Sequence, residues 1–250
     1  MLKLVQHDKL YNTPRCKSKI FAFTLAEVLI TLVIIGVIAA LTIPNLMQKY
    51  QEQATVKKVQ KFYSNLTNAY SLAKKDNGTV SEWGLTGTDA ESAKKIYELL
   101  FKPYFKITKE CGTASGGCFA NTYYNFLDGT SWGNPETHKL YYKIALSDGS
   151  AVLFSALYEG IPIAILYDVN GKQGPNQFGI DFFEFMIRPE NVFPSGLQTI
   201  KSGWVRDFDT TCSNRTQRGL GCAAWVVYKG NMDYLHCDGL TWNSRSCKDK

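Results

Sequence analysis

Enzyme signatures are missing from this 250-residue chain. No HExxH, GxSxG, Walker A or GxGxxG pattern occurs, so the common zinc-protease, serine-hydrolase and nucleotide sites have no sequence support. Histidine is scarce, with His7, His138 and His236 only. His236 adjoins Cys237, but strand neighbours point to opposite faces, which argues against a nucleophile–base pair. No two cysteines stand at C-x₂₋₄-C spacing, which argues against zinc. Twenty glycines and 8 prolines exclude collagen, and 45% hydrophobic against 20% charged residues excludes bulk disorder. No internal repeat of convincing period appears. A mean hydropathy of -0.18 excludes a polytopic membrane protein and leaves room for one span.

The basic excess of +6 is small and uneven. Residues 1–22 carry Lys3, Lys9, Arg15, Lys17 and Lys19 against Asp8. The remainder holds 23 basic and 21 acidic side chains. Nucleic acid is therefore not an expected partner, since it calls for a basic face on the folded part.

From Phe23 to Leu46 the chain reads FTLAEVLITLVIIGVIAALTIPNL, with Glu27 as its one charge. As a helix this run is about 36 Å long, enough to cross a bilayer core of about 30 Å. The basic flank before it predicts a cytoplasmic N-terminus and an exported C-terminal bulk. A plain signal anchor leaves Glu27 without a reason. A removed signal peptide wants a shorter apolar core, and Ala39-Ala40-Leu41-Thr42-Ile43 is a poor cleavage site for one. A third reading takes Glu27 together with its neighbours.

The stretch Ala22-Phe23-Thr24-Leu25-Ala26-Glu27, following a basic leader, resembles the processing site of type IV prepilins and type II secretion pseudopilins. The resemblance covers about residues 17–50. It implies cleavage between Ala22 and Phe23 by a membrane prepilin peptidase, and N-methylation of Phe23. It also implies assembly with other pilin or pseudopilin subunits on an inner-membrane platform. Glu27 becomes the fifth mature residue, and Pro44 matches the helix-kinking proline common in that family. Two positions depart from the pattern: Ala22 stands where Gly is usual, and Ala26 where a larger aliphatic is usual.

An acid within a spanning helix is costly and usually functional. In a filament Glu27 can meet the amine of Phe23 on a neighbouring subunit, and a wrong stagger would leave a charge unpaired. The plainer alternative is a snorkelled glutamate with no partner. Gly36 and Pro44 interrupt the helix pattern, as a tolerated membrane kink or as a segment that stretches on leaving the bilayer.

After the span, Val56, Val59, Tyr63, Leu66, Tyr70 and Ala73 form one apolar stripe, so the helix should continue to about Lys75 and pack on its own domain. Asp76-Asn77-Gly78 should end it. Thr88-Asp89-Ala90-Glu91 has capping-box spacing and should open a second helix to about Leu100, stopped near Pro103. Leu140–Leu146, Ala151–Leu157 and Pro162–Val169 read as strands, the first two joined by a turn at Asp148-Gly149. Phe182–Ile187 is a strand or short helix, and Cys222–Lys229 a short helix ended by Gly230-Asn231. The expected plan is α+β and pilin-like: leader 1–22, assembly helix 23–46, and globular domain 47–250 built on a small antiparallel sheet.

Removing residues 1–22 takes away Cys16 and leaves Cys111, Cys118, Cys212, Cys222, Cys237 and Cys247 on the exported side, where disulfides persist. Six cysteines allow 15 pairings. Consecutive pairing closes three short polar loops and is the favoured pattern, with free buried thiols the alternative for the first pair. Asp168, Asn170, Asn176 and Asp181 form an oxygen-rich loop. Some pseudopilins bind calcium in a comparable region, but the spacing is not that of an EF-hand, and an Asx turn accounts for it equally well. No other cofactor is expected. Loop aromatics such as Tyr123-Tyr124 and Trp242 offer contacts to sugar or another subunit, with packing as the default.

The expected function is that of a structural subunit of a pilus or secretion pseudopilus, anchored in a bacterial inner membrane with its domain in the periplasm or on a surface filament. The alternative is an anchored exported binding domain that never polymerises. No reaction of its own is expected in either case.

Overall fold

The computed structural model describes residues 24–157, 163–197 and 207–248. Two compact units are present, Met1–Met47 and Gln48–Lys250. Helix α1 (Leu25–Asn77) supplies the described part of the first unit and the opening element of the second. It ends where Asn77 gives way to Gly78, whose φ of +77° is the left-handed geometry a helix stop requires and a Cβ disfavours.

In the second unit α1 buries Val56, Val59, Phe62, Leu66, Ala69, Tyr70 and Ala73. The expected stripe is thus present but wider. Phe62 and Ala69 join it, because the buried arc of a 3.6-period helix spans about 100°, while Tyr63 is only half-buried.

Helix α2 (Ala90–Ile96) corrects the expected start. The cap is Asp89, whose carboxylate accepts the Ser92 N–H at 2.8 Å, and not Thr88. The helical stretch ends at Tyr104, one residue past Pro103, close to the expected stop. A π-helical segment, Tyr97–Phe101, follows α2, with the Lys102 N–H reaching back to the Tyr97 carbonyl. This wider turn accommodates the proline ring, and a final turn, α3 (Lys102–Tyr104), continues the helix past it.

The main sheet has six antiparallel strands, more than the small sheet expected. They are β1 (Ile107–Gly112), β4 (Tyr142–Leu146), β5 (Ala151–Ala156), β6 (Ile163–Asp168), β7 (Phe182–Ile187) and β8 (Val192–Pro194), in that spatial order. A two-stranded ribbon pairs β2 (Tyr124–Asn125) with β3 (Ser131–Gly133). Phe182–Ile187 is a strand, pairing with β6 from Phe182↔Asp168 to Ile187↔Ile163. The β4–β5 hairpin turns at Asp148-Gly149 as expected, with the Gly149 N–H bonded to the Leu146 carbonyl.

Alternation along the strands sorts side chains to two faces. Ile144, Val152, Phe154, Ile165, Tyr167 and Phe185 join the core under α1 and α2. Leu153, Leu166 and Phe182 point the other way, into a smaller cluster with Phe119, Tyr124 and Phe178. That second face is covered, which is why β5, β6 and β7 are buried at every residue.

Helices α4 (Phe208–Thr211) and α5 (Cys222–Lys229) complete the unit, α5 ending at Gly230 in left-handed geometry. The three disulfides follow the consecutive pattern: Cys111–Cys118, Cys212–Cys222 and Cys237–Cys247, with Cα separations of 6.2, 5.2 and 5.8 Å.

Candidate functional site

Helix propensity and apolar content make the first part of α1 a helix, but nothing in its own unit covers it. Its large apolar side chains from Leu25 to Met47 are exposed by 42% to 79%. The helix is long and apolar enough to cross a membrane. A helix in water would turn at least one face toward a core.

Glu27 sits at the start of this helix and has a partner on its own chain. Its Oε2 accepts the Thr24 N–H at 2.8 Å and the Thr24 hydroxyl at 2.9 Å. The Glu27 N–H returns a bond to Thr24 Oγ1 at 3.2 Å. This is a reciprocal capping box in which one acid satisfies donors that the first helical turn leaves open. Glu27 Oε1 has no hydrogen bond among the described residues. The sequence signal for this box is the spacing Thr24-x-x-Glu27. The helix runs unbroken through Gly36 and Pro44. Near the proline, the Thr42 hydroxyl donates to the Ile38 carbonyl at 2.9 Å. The proposed junction, Ala22 and Phe23, lies outside the described residues.

The structure gathers the oxygen-rich loop between β6 and β7. Asp168 Oδ1 accepts the N–H groups of Asn170 (3.1 Å) and Gly171 (2.8 Å), and Oδ2 accepts the Tyr124 hydroxyl at 2.6 Å. Asp181 accepts the N–H groups of Asn176 (2.8 Å) and Gln177 (2.7 Å). Burial pushes Asp168 well above the ordinary carboxylate value, and the nearby Asp181 charge pushes it further. Burial also raises Asp181, against the amide bonds that favour its charged form. Asp168 thus forms the Asx turn of this loop, accepting amides two and three residues on, while Asp181 accepts the amides of the preceding turn at residues 176 and 177. Asn170 Oδ1 and Asn176 Oδ1 are buried with no hydrogen bond. Among the described residues no group of three or more His, Cys, Asp or Glu is placed to hold a metal.

Two further polar clusters were not foreseen. Lys143 is fully buried in the middle of β4 and donates to the carbonyls of Thr113 (3.1 Å) and His138 (2.9 Å). Glu136, also buried, accepts the N–H groups of Gly117 and, at 3.0 Å, Phe119. Together they fasten the Cys111–Cys118 loop to the 134–138 turn. A lysine inside the apolar run of β4 was the available signal. On the other side of β1, Glu110 accepts hydroxyls from Tyr97 and Tyr142. Burial and that carboxylate raise Tyr97 to about 12.

A cavity of about 410 Å³ lies between residues 48–58 of α1 and the loop after β6. Its charged walls are largely engaged: Glu52 pairs with His236 at 2.9 Å, and the Lys58 ammonium donates to the Val169 carbonyl at 3.1 Å. His138 stacks edge-on against Tyr141, with burial lowering its pKa. Neither histidine meets a cysteine or serine in a catalytic arrangement among the hydrogen bonds described.

Comparison with known proteins adds one match. A family model described as "Family of unknown function (DUF6613)" matches residues 45–225. The matched region begins at residue 45, at the very end of the apolar run, and so leaves out Ala22 to Glu27. No curated protein and no solved structure matches the chain.

Proposed function

We propose a role for this chain, which belongs to the DUF6613 family of unknown function, from its own architecture: it is a prepilin-like structural subunit. A membrane peptidase trims it between Ala22 and Phe23, and the bare helix then packs among copies of itself or related subunits in a pilus or pseudopilus. The single observation that carries this reading is the uncovered apolar helix from Leu25 to Met47, continuous with a helix whose second part is buried in a disulfide-bonded domain. Such a surface needs lipid or other apolar helices around it. The sequence at the junction supports processing there. In this reading the chain is acted upon and has no reaction of its own.

A second reading is favoured by a separate observation. The Thr24–Glu27 box gives Glu27 an intramolecular task, which removes the need for a partner and suits a plain anchor for an exported binding domain.

Mass spectrometry of the protein's N-terminus in its own host separates the two. Methylated Phe23 as the first residue supports the subunit. A chain that keeps its first 22 residues in the membrane overturns it.

A further inference from the structure

The cavity of about 410 Å³ beside residues 48–58 of α1 is within the size range of small-ligand sites, and its whole wall belongs to the second unit. Both acids of that wall are engaged. Glu52 accepts Gln48 Nε2 at 3.0 Å as well as pairing with His236, and Asp181 accepts two backbone amides. The cations are freer. Lys58 gives one of its three ammonium protons to the Val169 carbonyl. The exposed Arg215 guanidinium has no hydrogen bond or ion pair among the described residues. Asn170, in the same wall, keeps a buried Oδ1 with no donor. The wall thus holds two cations without a counter-charge and one acceptor without a donor. A ligand that carries both an anionic oxygen group and a hydroxyl would complete it.

The wall also begins where the apolar run stops. Gln48 follows Met47 in one unbroken helix, and Gln48 to Glu52 rise about 8 Å, the depth of a headgroup layer. Lys49 and the exposed ring of Tyr50 stand in that stretch, residue types that favour the boundary between lipid and water. We infer that this cavity receives the headgroup of an anionic phospholipid with free hydroxyls, of the phosphatidylglycerol type. Arg215 and Lys58 hold the phosphodiester, as basic pockets at a membrane surface do, and Asn170 Oδ1 accepts a head hydroxyl. The inference rests on the membrane placement of α1, which both readings above share, and adds a lipid partner to it. A soluble glycerol phosphate carries the same chemistry without the acyl chains, so the test separates the two sources.

The full chain is purified in a neutral detergent and titrated with lipid in mixed micelles, and bound lipid is counted by native mass spectrometry. Dioleoyl phosphatidylglycerol should bind once per chain, about tenfold or more tighter than dioleoyl phosphatidylcholine, whose head is cationic and has no donor. Dioleoyl phosphatidylmethanol has the charge but no hydroxyl, and should bind about fivefold more weakly than phosphatidylglycerol. Glycerol 3-phosphate lacks the anchoring chains and should compete only at about a hundredfold higher concentration. Arg215→Gln should weaken phosphatidylglycerol binding about tenfold, the range for losing a hydrogen bond from a charged group, with an unchanged thermal melt. Lys139→Gln removes an exposed charge outside the wall and should stay within about twofold of the parent.

Equal binding of phosphatidylglycerol and phosphatidylcholine overturns the inference. So does a loss in Lys139→Gln as large as that in Arg215→Gln, which would mean diffuse charge attraction. Equal binding of phosphatidylmethanol overturns the assignment of Asn170. Competition by glycerol 3-phosphate at the lipid's own concentration makes the ligand a soluble phosphoester and overturns the lipid partner. A chain that is cut between Ala22 and Phe23, lodges in the membrane and ignores lipid class overturns this inference and leaves the subunit reading standing. A chain absent from the membrane fraction of its host overturns the placement of α1 and the subunit reading with it.

Discussion

The ring of Phe62 lies on that of Tyr167, centroids 4.0 Å apart and planes within 4°. This contact joins the buried face of α1 to the centre of the sheet. Phe185 meets the same ring edge-on at 5.3 Å. Phe62→Ala should therefore lower the unfolding free energy of the globular unit by about 3–5 kcal/mol, the usual cost of deleting a buried aromatic ring. Urea denaturation followed by tryptophan fluorescence would measure it. A loss below 1 kcal/mol would show that α1 does not pack there.

A charge-neutral replacement distinguishes the two tasks of Glu27. A glutamine at the third helical position can still close a capping box, but it carries no charge for an amine. Glu27→Gln should be inserted and processed like the original chain, yet assemble no better than Glu27→Ala. Filament yield and membrane content measured together check this. Full assembly in Glu27→Gln with failure in Glu27→Ala would assign the residue to helix capping alone.

The three disulfides predict a simple chemical pattern. The six cysteines from Cys111 to Cys247 should resist alkylation until a reductant is added. Replacing Cys212 and Cys222 together by serine should destabilise the unit by about 2–4 kcal/mol. Both are fully buried against α4 and α5. Mass spectra with and without reductant, and thermal melts of the double variant, are the measurements.

Asp168 and Asp181 should give stability an unusual pH slope. Both have folded pKa values raised above the ordinary 3.8. The folded state then binds more protons than the unfolded one between that value and the raised value. Their contribution to stability is present at low pH and is lost as pH rises through the window. Acids held low by hydrogen bonds, such as Glu110, slope the other way, so the comparison needs a variant. Asp168→Asn should gain relative to the parent as pH increases from 4.5 to 7.5 in urea melts. An equal difference at both pH values would contradict the raised Asp168. Because the carboxylates are bonded to amides, added calcium should leave the melting temperature unchanged, and a calcium-dependent rise would identify this loop as a cation site.

Much of this fold was legible because its signals are periodic. The α1 stripe, the β4–β5 hairpin and α5 with Gly230 follow spacings that a sequence displays directly. What was missed has physical reasons. Strand β1 carries Thr108, Lys109 and Glu110 on an exposed edge and breaks register twice against β4, so it shows no alternation. The helix stops close to Pro103 as its sequence suggests, but the five-residue π segment before it has no composition signal of its own. Lys143 looks like a surface lysine until the carbonyls of Thr113 and His138 converge on it. At Glu27 the cost of an acid in a membrane and the capping bond to the threonine three residues earlier both bear on one side chain, and only the structure shows the bond.

Among the described residues no disulfide joins cysteines more than ten residues apart. Each of the six cysteines from Cys111 to Cys247 pairs with its nearest cysteine in sequence. Short loops of this kind favour native pairing over long-range mispairing, because closing a loop costs less entropy the fewer residues it holds.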